Sequence, residues 1–157
     1  MTFPLTLTTG TCLLALGLLR GDQVESLATA ALEASFDHST LRELAGRSTS
    51  AEDLANLVSA FRDLGVALPS RIEAARELAQ TISSEIVAGR VEPIAGASDL
   101  AFISREIGPG FHELDPFIYA WSEAESRPDD REFFQKATID EAVRWVQTGR
   151  GSIEPVV

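Results

Sequence analysis

The chain has 157 residues, with 24 acidic and 13 basic side chains and a formal net charge of −11. This length predicts one domain over residues 1–157, which can bury about 70% of its unfolded surface without a disulfide or a metal. The single cysteine, Cys12, excludes an internal disulfide and every zinc site built on a cysteine pair. The negative charge opposes binding to nucleic acid and to anionic lipid, so it favours a basic protein partner.

Residues 12–19 form a continuous apolar run near the start of the chain. A secretory signal carries positive charge ahead of such a run, whereas residues 1–11 contain no lysine or arginine. A membrane span needs about 20 apolar residues. The run therefore predicts a buried first helix in a cytoplasmic protein. The parts of the domain that could be flexible are the ends, 1–10 and 149–157.

Three helix starts are marked by capping residues in the first half of the chain. Asp22 and Glu25 have the spacing of a capping box, in which each side chain accepts a backbone N–H at the start of the helix. A short helix is predicted over 39–45, closed by Gly46, and a longer one over 51–64, opened by Ser50.

The clearest predicted helix covers residues 70–88. Ser70 and Glu73 form a second capping box, and apolar residues recur on one face for about five turns: Ile72, Ala75, Leu78, Ala79, Ile82, Ile86 and Val87. We expect this helix to be central, packed by the helices 51–64 and 116–126. The predicted contacts are Leu57, Phe61, Ile82, Ile86, Phe117 and Trp121.

The second half of the chain continues with helical periodicity. A helix over 98–107 is followed by a Gly-Pro-Gly breaker, and Asp115 is placed to cap a helix that carries Phe117, Ala120, Trp121 and Ala124 on one side. Residues 129–148 form either one helix or two, because Thr138 to Glu141 could cap a second helix bearing Ala142, Val143 and Val146. The chain is therefore predicted to be all-α, a compact bundle of seven or eight helices.

Two histidines are the first candidates for chemistry near neutral pH. His38 lies beside Ser39, a predicted helix cap, and is interpreted as a loop residue. His112 is followed by Glu113 and Asp115, the only local combination suited to metal binding or acid–base work, but Asp115 is already explained as a cap. We therefore expect no metal and no cofactor. A small hydrolase or metal-dependent enzyme that uses His112 and nearby carboxylates stays open as an alternative.

An acidic segment runs from Glu106 to Glu132. It holds eight acids against two arginines, a net charge of −6. The plain interpretation is a solvated face that keeps the protein soluble. The alternative is a binding surface, because Tyr119 lies on the helix side opposite Phe117 and Trp121, beside carboxylates. The candidate partner-binding residues are Tyr119, Glu123, Glu125, Asp129, Asp130 and Glu132. They predict a non-enzymatic interaction module that binds or neutralises a basic protein, as an immunity protein or a regulatory adaptor does.

A set of short motifs carries a family resemblance over residues 41–146. The motifs are Leu68-Pro69-Ser70, Glu73-Ala74-Ala75, Leu78-Ala79, Ile86-Val87-Ala88-Gly89, Pro93, Gly96-Ala97, Glu113-Leu114-Asp115-Pro116-Phe117 and Trp121. The chain resembles a group of small acidic helical proteins from actinobacteria and myxobacteria that has no assigned activity. The group has acids directly after the tryptophan, whereas this chain has Ser122 before Glu123. The resemblance implies an all-helical fold and assigns no functional residue.

Overall fold

A computed structural model describes Met1 and residues 3–149 of the chain. Within these residues there are eight α-helices and no strand, which confirms the predicted all-α class. The helices are α1 Leu7–Leu16, α2 Val24–Glu33, α3 Ser39–Ala45, α4 Asp53–Asp63, α5 Arg71–Val87, α6 Pro93–Ile107, α7 Asp115–Ser126 and α8 Arg131–Thr148. None of the helices in this part of the chain is both long and apolar enough to cross a membrane.

The chain divides into two compact units by its internal contacts. The first-half unit is Pro4–Ala74, and the second-half unit is Ala75–Val157 together with Met1–Phe3. The boundary falls inside α5. A single folding domain and a central position for α5 both stay predictions. Of the ends expected to be flexible, residues 7–10 form the first turn of α1, whereas residues 150–157 lie outside the described residues.

In the first-half unit, α2 packs against α1, α3 and α4. The helix α1 begins at a threonine capping box, because the Thr9 amide donates to Thr6 Oγ1 at 3.2 Å and the Thr6 amide donates to Thr9 Oγ1 at 2.8 Å. The apolar run that starts at Cys12 is buried at Cys12, Leu13, Leu16 and Leu19, as predicted for a first helix. It is interrupted by Gly17, whose positive φ of 74° ends the helix.

The expected cap at Asp22 is wrong. Residues 21–23 form a 3-10 turn and Gln23 takes the cap position, so α2 begins one residue later than a cap at Asp22 requires, and the Asp22 carboxylate instead accepts from Arg20 at 3.0 Å. The first turn of α2 is capped from a distant loop. The Thr49 hydroxyl accepts from the Glu25 amide at 3.1 Å and donates to the Gly21 carbonyl at 2.7 Å.

The start of α4 depends on a buried carboxylate. Ser50 was expected to cap this helix, but Asp53 makes the bonds: it accepts from the Ser50 amide at 2.8 Å and from the Arg47 guanidinium at 2.6 Å. The Asp53 side chain is only 7% exposed. A buried carboxylate is tolerated when it is paired and hydrogen-bonded in this way.

The contacts of Asp53 predict a pH-dependent stability. The Arg47 guanidinium, together with the Ser50 amide, holds the pKa of Asp53 below its usual value. A group whose pKa is lowered by folding stabilises the folded state above its unfolded pKa of about 3.9, and this stabilisation is lost as the pH falls through the folded pKa. We expect Asp53→Asn to need less urea for unfolding than the wild type at pH 7, by a difference that shrinks below about pH 5.

Urea unfolding monitored by circular dichroism at fixed pH values measures this difference. The control is Glu77→Gln, because Glu77 is exposed in the middle of α5 and forms no ion pair within the described part of the chain. A gap between Asp53→Asn and the wild type that stays constant from pH 7 to the acid range would contradict the prediction.

The predicted helix 70–88 is confirmed as α5. The Ser70–Glu73 capping box forms, with the Ser70 amide 2.9 Å from Glu73 Oε2 and the Glu73 amide 3.3 Å from Ser70 Oγ. The middle of the predicted face is buried at Ala75, Leu78, Ala79, Ile82 and Ile86. Its two ends are not, because Ile72 is 45% and Val87 44% exposed.

In the second-half unit, α6, α7 and α8 pack against one another. The helix α6 begins at Pro93, five residues before the predicted start, because the Glu92 carboxylate caps it by accepting from the Ala95 amide at 2.7 Å. Asp115 was expected to cap α7, and this is wrong. The cap residue is Leu114, and the Asp115 side chain bonds to His112 instead.

Residues 131–148 form one helix, α8. Thr138 does not start a second helix, since it is buried and its hydroxyl donates to the Phe134 carbonyl at 2.9 Å, one turn back. Of the three apolar residues that the possible second helix was expected to bear, Ala142 is buried and Val146 is 40% exposed. The fully buried residue there is Trp145.

Candidate functional site

The most exposed aromatic side chains of the described residues, on α7 and α8, both pack against the ring of Phe134. Tyr119 is 60% and Phe133 69% exposed. Both rings stand edge-on to Phe134, with ring centroids 6.2 Å apart for Tyr119 and 5.2 Å apart for Phe133, at interplanar angles of 77° and 84°. This is the favourable geometry for aromatic pairs. Phe134, only 4% exposed, thus supports two aromatic rings that face solvent.

The helix geometry explains why Tyr119 and Phe133 point outward. Phe134 is buried in a core cluster with Ile94, Ala120 and Ala124. Successive residues on a helix are about 100° apart, so Phe133 cannot share the inward direction of Phe134, nor Tyr119 that of Ala120. Tyr119 was predicted to point outward and Phe133 was not, although two adjacent phenylalanines on one helix already indicate that one of them faces away from the core.

Three of the predicted acids lie at the start of α8, next to Phe133. Asp129 and Asp130 belong to the 3-10 turn that precedes the helix, about one turn ahead of Phe133, and Glu132 is in its first turn. All three are exposed, and they form no ion pair with any residue the structure describes. We call Tyr119, Phe133, Asp129, Asp130 and Glu132 the aromatic–acidic surface.

The other two predicted acids are partly neutralised within the chain. The Glu123 side chain is only 23% exposed, and its Oε2 lies 3.2 Å from Arg127 Nε. Glu125 Oε1 lies 3.8 Å from Arg131, which lies at the same distance from Glu92. These two acids therefore offer a partner less charge than the acids at the start of α8.

Hydrogen bonds to the Glu92 carboxylate connect the start of α6 with α8. Burial raises the pKa of Glu92, but the Ala95 amide and the Gln135 side chain donate to its carboxylate, so its pKa lies below the usual value overall. Gln135 Nε2 is 2.9 Å from Glu92 Oε1. The cap of α6 is thus tied to the first turns of α8, which helps to fix the helix that carries Phe133.

The polar side chains around His112 form two separate contacts. His112 Nδ1 lies 3.0 Å from Asp115 Oδ2, and both side chains are exposed. Glu113 instead accepts from Arg76 Nε at 3.0 and 3.1 Å. Among the residues the structure describes, no group of three or more histidine, cysteine or acidic side chains is arranged to hold a metal ion.

His38 has a local structural role. It is itself the cap of α3, because its Nδ1 accepts from the Thr40 amide at 3.1 Å, whereas Ser39 was expected to be the cap. Its Nε2 lies 3.3 Å from Asp63 Oδ2. Both ring nitrogens are therefore engaged within the first-half unit.

Comparison of the chain with protein-family models, with curated proteins and with solved structures gave no match.

Proposed function

We propose that this chain is a non-enzymatic interaction protein that binds a basic protein partner through its aromatic–acidic surface. The observation that carries the proposal is the pair of exposed rings, Tyr119 and Phe133, beside three exposed carboxylates that have no partner in the described residues. Neutralisation of a toxic basic protein and a regulatory adaptor role both belong to this class.

The rings support the proposal more strongly than the acids do. Acids at the first turn of a helix stabilise its dipole, so Asp129, Asp130 and Glu132 have a structural explanation in α8. An exposed Phe133 gains nothing comparable, because 69% of it stays in water. Rigid aromatic side chains that become desolvated on binding are the residues that most often dominate binding energy at protein interfaces.

The charge determines which partner fits. The segment 106–132 carries −6 of the chain's −11, and a field of one sign attracts an oppositely charged partner and accelerates the encounter at low salt. An aromatic ring can also take a lysine or arginine on its face. A partner with exposed arginine and lysine around an apolar centre therefore matches both parts of the surface.

We expect Phe133→Ala to raise the dissociation rate of the complex about 30-fold, because the loss of a desolvated aromatic anchor costs about 2 kcal/mol. The partner is first captured from a lysate of the source organism on the wild-type chain, and rates are then measured by surface plasmon resonance. The matched control is Ile139→Ala, which removes an apolar side chain, 39% exposed, from the same helix. Equal rates for the wild type and Phe133→Ala would contradict the proposal.

The acids are tested in the same measurement. Asp129→Asn with Glu132→Gln should slow association about fivefold at low salt and have little effect at 0.5 M salt, because salt screens the attraction. The control is Glu33→Gln with Glu77→Gln, which removes the same net charge from two exposed sites elsewhere. If both double variants slow the association of the captured protein equally, that protein is attracted only by net charge and does not bind this surface.

A further inference from the structure

A groove opens in the second-half unit where α6 ends and α7 begins. Its volume is about 410 Å³, and its apolar lining includes Phe111, Ile118 and Trp121. Phe111 is 8% exposed, and the other two side chains are half-buried. Sites for small ligands have volumes of about 300–1,000 Å³ and combine an apolar lining with a few polar groups. The groove is thus at the small end of the range for an organic ligand.

Arg105 supplies a cation to this groove. It lies in the last turn of α6 and lines the groove. Most arginines of this acidic chain are paired, as Arg76 is with Glu113 and Arg90 with Glu85. Arg105 forms no ion pair or hydrogen bond with any residue in the described ranges. Its positive charge near the C-terminus of α6 interacts favourably with the helix dipole. Because the guanidinium has no protein partner, its five N–H donors all face water.

A second polar group lies on the groove wall. The Asp115 carboxylate accepts from His112 Nδ1 at 3.0 Å, which orients the imidazole and leaves Nε2 without a partner in the described part of the chain. Between α6 and this pair the wall is the Gly108-Pro109-Gly110 turn, whose glycines have φ values of 96° and 99° that other residues rarely adopt. The polar groups therefore lie on a wall whose backbone course depends on glycine.

We propose that this groove binds a small carboxylate with a flat apolar body. Its carboxylate pairs with the Arg105 guanidinium, which matches a carboxylate in a planar, two-bonded arrangement. Its body lies against Phe111, Ile118 and Trp121, and His112 Nε2 is left for a polar substituent. The site is separate from the aromatic–acidic surface, and it does not depend on a basic partner.

The test uses benzoate and indole-3-carboxylate as probes, followed by nuclear magnetic resonance of the ¹⁵N-labelled full chain. The two tryptophan indole N–H signals report separately, because Trp121 lines the groove and Trp145 is fully buried. Trp145→Phe assigns the two signals. We expect the chemical shift of the Trp121 signal to change and to saturate at probe concentrations of about a millimolar, since small ligands with one charged contact bind weakly. The chemical shift of the Trp145 signal should not change.

Arg105→Gln should weaken binding at least tenfold, because it removes the charge and the two-bonded geometry. The matched control is Arg62→Gln: Arg62 is also an exposed arginine in the last turn of a helix, and it has no ion pair among the described residues. This variant should bind as the wild type does. Benzyl alcohol, which has the body without the charge, should bind more weakly than benzoate.

Three results would overturn the proposal. The first is a Trp121 signal that does not move with either carboxylate. The second is equal binding by Arg105→Gln and Arg62→Gln, which would place the anion elsewhere. The third is stronger binding of phenyl phosphate than of benzoate, which would assign the groove to phosphate esters instead of carboxylates.

Discussion

Ile82→Asp is expected to abolish the cooperative folding of the chain. Ile82 is 1% exposed in the middle of α5. An aspartate there has no room to reach water, and an unpaired buried charge costs several kcal/mol, which is comparable to the whole stability of about 5–15 kcal/mol of a domain. Thermal unfolding followed by circular dichroism at 222 nm should show a low helix signal without a sigmoidal transition.

Ile72→Asp is the control for this substitution. Ile72 belongs to the same helix and the same predicted apolar face, but it is 45% exposed. An aspartate in the first turn of α5 also suits the helix dipole, so the change in stability should stay within about 0.5 kcal/mol. A cooperative melt of Ile82→Asp close to that of Ile72→Asp would mean that the burial of Ile82 does not determine folding.

The contrast between these two residues shows what periodicity can and cannot predict. The repeat of apolar residues correctly predicts that residues 70–88 form a helix and which side of it is apolar. The repeat does not predict how far along α5 the residues packed against it extend. Ile72 and Val87 lie at the two ends of this apolar face, where fewer residues pack against it, and both are more than 40% exposed.

Helix starts were predictable where the capping partners are local. The Ser70–Glu73 box closes within four residues, so the sequence alone identifies it. The start of α2 depends on the Thr49 hydroxyl, which accepts a hydrogen bond from the Glu25 amide, 24 residues earlier in the chain. Spacing within one segment cannot reveal a partner that a different segment supplies.

The candidate surface was only half predictable for a similar reason. Tyr119 could be placed outward, because Phe117 and Trp121 flank it on the other side of the helix. The supporting role of Phe134 needs the packing of α7 on α8, which brings Tyr119 to 6.2 Å from it between ring centroids. The groove beside Arg105 is likewise formed by residues of two helices and their connection, and no motif of one segment describes it.

Gly21→Ala is expected to destabilise the chain by about 1–3 kcal/mol, because a new methyl group must displace well-packed backbone. A Cβ on Gly21 would overlap the backbone of Ser50 and Ala51, and not the movable end of a side chain. That loop cannot shift freely, since Thr49 donates to the Gly21 carbonyl at 2.7 Å and Asp53 holds the Ser50 amide at 2.8 Å. The melting temperature should fall by several degrees.

Gly46→Ala distinguishes close approach from the general effect of replacing a glycine. A Cβ on Gly46 would meet only the Arg42 carbonyl oxygen at 3.5 Å and the Glu43 carbonyl oxygen at 3.7 Å, which are ordinary contacts. Its φ of −98° is open to any residue. This variant should therefore melt within about 2 °C of the wild type. If both variants melt together, the loop that carries Thr49 can move away from Gly21, and the distant cap of α2 is weaker than its hydrogen bonds indicate.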